Sequence, residues 1–89
     1  MNETMYCWRR DAHQDELMLV VLYDKPLDAP TQAVLRAQYS SKRGVRPHAV
    51  GLSFDSLEQA YEFMGINASD LVLMPRAEAD EPQIVCSWL

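Results

Sequence analysis

The chain has 89 residues, 48% hydrophobic and 24% charged, with 3 glycines, 5 prolines and 2 cysteines. That length makes one domain with a single core, and the composition is that of an ordinary globular protein; a mainly disordered chain and a disulfide scaffold are both excluded. Thirteen acids against eight lysines and arginines give a net charge of −5, which disfavours a general grip on nucleic acid, because such a grip needs a basic surface to displace counterions from phosphates.

Residues 5–9 read as a short strand of bulky and aromatic side chains, closed by a polar turn over 11–15. Residues 17–23 are apolar on both faces and carry two adjacent valines, the pattern of a central strand. Pro26 lies just beyond it.

Residues 29–43 read as a helix. Asp28 is placed as its N-cap and Pro30 falls in its first turn. Ala33, Val34, Ala37 and Ser41 form an inward stripe that Leu35 and Tyr39 widen. Lys42 and Arg43 suit its negative end, and Gly44 suits a left-handed residue after it.

Residues 48–54 alternate, with Val50, Leu52 and Phe54 on one face. The small residues Ala49, Gly51 and Ser53 on the other face invite a closely packed helix there. A second helix opens at Asp55 or Ser56, each with a capping partner three residues on (Glu58 or Gln59). Leu57, Ala60, Tyr61 and Met64 follow at core spacing. Gly65 is expected to end the helix with a positive φ, and Ile66 to fold back onto Tyr61. Residues 71–74 read as a buried strand stopped by Pro75, residues 76–82 as a loop, and residues 83–89 as a last strand with Ile84, Cys86 and Trp88 on one face.

The expected order is β-β-α-β-α-β-β. This is an α+β domain spanning residues 1–89, with a mixed sheet of about five strands and two helices packed on one face. Trp8 and Trp88, in the terminal strands, are expected in the core.

Chemistry-bearing residues are sparse. Cys7, His13, His48 and Cys86 lack the close ligand pair of a structural zinc site, so no metal or other cofactor is expected. The two cysteines are read as buried free thiols, with a bridge between the chain ends as the alternative. No nucleophile elbow or phosphate loop is present, which makes an enzyme the less expected class. No apolar run is long enough to span a membrane and no secretory leader is visible, so a cytoplasmic location and no membrane partner are expected.

Two charged groups stand out. Asp55, Glu58 and Glu62 share an outer helix face, and Glu78, Asp80 and Glu81 cluster in the loop before the last strand. These six are the candidate partner-binding residues, although a solvated helix face accounts for the first three without any partner. Lys42, Arg43 and Arg46 are the candidate anion-binding set, which Arg9 and Arg10 would join if the two segments adjoin; helix C-capping accounts for Lys42 and Arg43 alone.

Together these features point to a small acidic binding protein whose partner is a protein with a basic surface. An inhibitor or neutraliser of a nucleic-acid-handling partner, of the phage-defence-inhibitor or immunity-protein type, fits that description. The alternatives are a small enzyme or ligand-binding domain centred on His48 and Arg46, and a structural subunit of a larger assembly.

Overall fold

The structure, a computed structural model, describes residues 2–77 and 82–89. Its elements run α1 (Glu3–Arg10), β1 (Leu17–Asp24), β2 (Ala33–Ser41), β3 (Gly44–Phe54), α2 (Leu57–Asn67), β4 (Leu73–Pro75) and β5 (Ile84–Trp88). The strands form one sheet in the order β3-β2-β1-β5-β4, and every neighbouring pair is antiparallel. The α+β class, five strands and two helices match the expectation. The mixed sheet does not, because the element order is α-β-β-β-α-β-β.

Two segments account for that difference. Residues 5–9 lie in helix α1. The Asn2 side chain caps it by accepting from the Thr4 and Met5 amides, Glu3 sits in the first turn, and Arg9 and Arg10 sit in the last. Met5 and Trp8, three apart, are its buried residues. Residues 33–41, expected as helix, are instead the inner strand β2, paired with β1 on one side and β3 on the other. Its nine residues satisfy two periods at once. A helix would have gained one apolar stripe, whereas the strand buries Ala33, Leu35, Ala37 and Tyr39 on one face and Val34 on the other. Lys42, Arg43 and Gly44 consequently belong to a hairpin turn rather than a helix end, and Gly44 has φ +116°.

Cross-strand partners show which side chains share a face. Val20 sits opposite Ala37 and Trp88, and Leu22 opposite Leu35 and Cys86. Leu35 in turn faces Leu52. This face packs against Met5 and Trp8 of α1 and Ala60, Met64 and Ala68 beyond and within the α2 segment, so both helices cover one side of the sheet. Each fully buried large side chain here, such as Leu22 or Leu35, contributes roughly 1.5–3 kcal/mol. Among the described residues, the other face, with Leu17, Leu19, Tyr23, Arg36, Gln38 and Ser53, carries no helix. The helix expected on the Gly51 and Ser53 side is therefore absent, and Leu52 and Phe54 are the β3 residues turned to the helices.

Helix α2 starts as its capping signals require: Ser56 is the N-cap and accepts from the Gln59 amide. It does not stop at Gly65. It continues to Asn67, where the Asn67 amide group donates to the Phe63 carbonyl. Gly65 has no positive φ, and Ile66 is 73% exposed rather than folded back. Strand β4 also departs from expectation: it is a three-residue edge whose residues are all exposed, not a buried strand. In β5, Cys86 and Trp88 are buried as expected, and both cysteines are free thiols.

Candidate functional site

Two regions gather the polar residues. The first is built by an irregularity in β3. Arg36 pairs with Gly51 and Gln38 with Pro47, so three residues, His48, Ala49 and Val50, stand opposite Ala37 alone. The strand bulges toward α1, and α1 holds the bulge. The Trp8 indole donates to the Val50 carbonyl at 2.9 Å. The Asp11 carboxylate lies 2.7 Å from His48 Nε2. The Val50 amide donates to His48 Nδ1 at 3.0 Å. Because Nδ1 accepts, Nε2 carries the proton and donates to Asp11, which sets the tautomer and occupies both ring nitrogens.

Arg46, two residues before His48, is held through two of its three guanidinium nitrogens. Its guanidinium makes a fork with Glu16, at 2.6 Å and 3.1 Å, and donates to the Asp11 carbonyl at 3.0 Å. It also stacks over the Tyr39 ring, 4.4 Å from the centroid. The hydrogen bond from Arg46 draws the Glu16 carboxyl down to about 2, against the opposing effect of desolvation. Asp11 is lowered as well, first by Arg10 and then by His48.

An open hollow of about 590 Å³ runs over Arg10, Asp11, His13, Arg46, Pro47, His48 and Ala49. A smaller one of about 250 Å³ brings Cys7 and His48 to the same wall. The arrangement has the inventory of an acid–base site without its freedom. His48 cannot take a proton from Cys7 while Val50 and Asp11 hold its nitrogens, and Arg46, held through Nε and Nη2, has only Nη1 left for a ligand.

The candidate anion-binding set is dispersed by the same pairing. Arg46 is held by Glu16 and Arg43 by Asp15 (2.7 Å), while Lys42 has no carboxylate partner among the described residues. Arg10 does join Arg46 around the hollow, through Asp11, but Arg9 turns away to a two-pronged contact with Asp70. Asp11, Glu16 and Tyr39 were not singled out from the sequence. Asp11 lay in the polar turn read over 11–15 and Tyr39 in the stripe of the expected helix, and nothing local linked either of them, or Glu16, to residues 46–48.

The second region is the outer side of α2. Asp55 precedes the N-cap, Glu58 lies in the first turn and Glu62 one turn later, and all three are exposed. None of them is in an ion pair among the described residues, whereas Arg9, Arg10, Arg36, Arg43 and Arg46 each face a carboxylate. Glu78, Asp80 and Glu81 lie outside the described residues. Among the described residues no helix is long and apolar enough to cross a membrane. Compared with known protein families, curated proteins and solved structures, the chain matches none of them.

Proposed function

We propose that this chain works by contact, as a small acidic protein that occupies the basic surface of a protein partner. The observation that carries the reading is the imbalance in ion pairing. Five arginines are each paired with a carboxylate of the same chain, while Asp55, just before α2, and Glu58 and Glu62 within it stand exposed and in no ion pair among the described residues. Negative charge therefore faces outward at the start of α2. Such a face speeds encounter with a positive one and rejects other acidic surfaces.

The partner class follows from the same chemistry. A surface that holds phosphates is basic by necessity, and carboxylates fixed about one helical turn apart, roughly 6 Å, can stand where phosphates would. A nucleic-acid-handling protein blocked by this face is the specific form of the proposal, and an inhibitor is the role it implies.

The test uses the immobilised chain in lysate of its own host at low and high salt, beside a variant carrying Asp55→Lys, Glu58→Lys and Glu62→Lys. A protein retained at low salt, released at high salt and absent from the reversed variant supports the reading. Equal capture by both forms removes α2 from the interface. The purified partner's nucleic-acid binding, measured with and without the chain, then separates an inhibitor from a passive ligand.

A further inference from the structure

His48 ties two elements together through one ring. Its Nε2 donates to the Asp11 carboxylate at the end of α1, at 2.7 Å, and its Nδ1 accepts from the Val50 amide inside the β3 bulge, at 3.0 Å. The second contact exists only while Nδ1 carries no proton, because an imidazolium has two donors and no acceptor. The His48 side chain is 11% exposed, so water has little room to come between Nδ1 and the amide.

The groups around the ring decide which contact survives a proton. Asp11 and Arg10 come from the end of α1, while Glu3 and Cys7 of the same helix share the smaller hollow with His48. His13 shares the larger hollow, the Tyr39 ring of β2 meets His48 edge-on with centroids 6.2 Å apart, and Arg46 reaches the Asp11 carbonyl from the same strand. The Asp11 carboxyl is held below the usual carboxylate range, first by Arg10, so it stays ionised wherever histidines titrate, between about pH 5 and 8. Burial pushes the Tyr39 hydroxyl up, so it stays neutral there. Arg10 and Arg46 each face a carboxylate, Asp11 and Glu16. A charge bonded to the ring itself is therefore negative, and it meets Nε2. An added proton strengthens the Asp11 contact, which becomes charged on both sides, and sets two donors face to face at Val50.

We propose that His48 is a pH-operated latch between α1 and β3: the neutral ring holds the Val50 amide, and the protonated ring keeps Asp11 and releases the bulge. The bulge is the side free to move. Residues 48–50 stand opposite Ala37 alone, outside the regular ladder, and Ala49 and Val50 are exposed, so the freed amide turns to water. The Val50 carbonyl receives the Trp8 indole at 2.9 Å, so a shift of the bulge is felt inside α1. Val50, His48 and Cys7 also line the hollow of about 250 Å³, whose shape follows the latch. The device uses none of Asp55, Glu58 and Glu62 and stands whether or not that face meets a partner.

Nuclear magnetic resonance of the nitrogen-labelled chain, from about pH 8 to about pH 5, tests it. The expected result is one midpoint shared by three signals. His48 Nδ1 gains its proton, the Trp8 indole resonance moves, and the protection of the Val50 amide against exchange falls about tenfold or more, while the core-strand amides of Leu22 and Leu35 keep theirs. His48→Asn sets an oxygen near the place of Nδ1 and cannot titrate, so it is expected to keep Val50 protected throughout. His13→Asn is expected to leave the transition in place. Asp11→Asn removes the anion that favours the imidazolium and is expected to move the midpoint to lower pH. A Val50 amide equally protected on both sides of the His48 titration overturns the proposal. So does a ring that stays neutral down to about pH 5, or a loss of protection shared equally by Leu22 and Leu35. A transition that survives in His48→Asn, vanishes in His13→Asn or keeps its midpoint in Asp11→Asn overturns it as well. The native chain alone supplies the first three outcomes, so a variant that fails to fold leaves the test standing.

Discussion

The Tyr39 hydroxyl donates to the main-chain carbonyl of Trp8 at 2.6 Å, in the interior between sheet and helix. Trp8 lies in the last turn of α1, where carbonyls have no partner within the helix. A strand residue 31 positions away thus completes the helix end, and Tyr39 has no exposed surface through which water could substitute. Tyr39→Phe is expected to cost about 1–3 kcal/mol, the penalty of a buried acceptor left alone. Chemical denaturation measures it, and an unchanged midpoint would mean that the carbonyl has another donor.

Acid should act on this fold through Glu16. The hydrogen bond from Arg46 holds the Glu16 carboxyl down to about 2, well below its ordinary 4.5, with smaller help from the His13 amide and against the opposing effect of desolvation. The unfolded chain therefore takes up the proton first as pH falls. The stability Glu16 contributes is complete above about 4.5 and is lost as pH drops toward 2. Asp11 and Asp70 are shifted the same way by their arginines. Melting temperature followed from neutral pH downward should fall less steeply for Glu16→Gln than for the native chain. Parallel curves would exclude Glu16 as a main contributor.

The glycines should respond in opposite directions. Gly44 turns β2 into β3 at φ +116°, a region that side chains rarely adopt, so Gly44→Ala is expected to destabilise by about 1–3 kcal/mol. Gly65 lies inside α2 with no positive φ and nothing within 4 Å of an added Cβ. Gly65→Ala is expected to stabilise by about 0.5–1 kcal/mol, through helix propensity and a less flexible unfolded chain. Paired thermal melts give both signs in one experiment.

The two thiols should be separable by rate. Cys86 is 4% exposed, and burial pushes its thiol up, only partly offset by the Tyr61 hydroxyl 3.5 Å away. Cys7 is half-buried at the wall of an open hollow. A small aromatic disulfide reagent is expected to label one thiol quickly and the second at the rate of unfolding. Equal fast labelling of both would contradict the packing of β5.

What could be read along the chain depended on whether a segment's partners were local. Helix α2 announced itself through Ser56, Gln59 and the spacing of Ala60 and Met64, all within one element. Strand β5 was legible from the alternation of Cys86 and Trp88. Strand β2 was not, because Ala33, Leu35, Ala37 and Tyr39 satisfy a period of two while Ala33, Val34 and Ala37 satisfy a helix, and Asp28, Pro30 and Gly44 imitate its caps. Pairing on both edges decided it, and pairing is invisible in one sequence. Helix α1 was too short to display a period. The acids of α2 were identified and found exposed, whereas the Asp11–His48 and Glu16–Arg46 contacts join residues 37 and 30 apart that no local pattern connects.

The anchoring of α1 has a consequence in time. Its ties run to Val50, 42 residues on, to Asp70, 61 on, and to Asn67, whose side chain accepts from the Asn2 amide 65 residues earlier. Eight residues make a marginal helix without tertiary support. On the ribosome α1 emerges before the residues that hold it, so it waits unanchored while β2, β3 and α2 are made. Helix α1 is among the last parts of the fold to be secured.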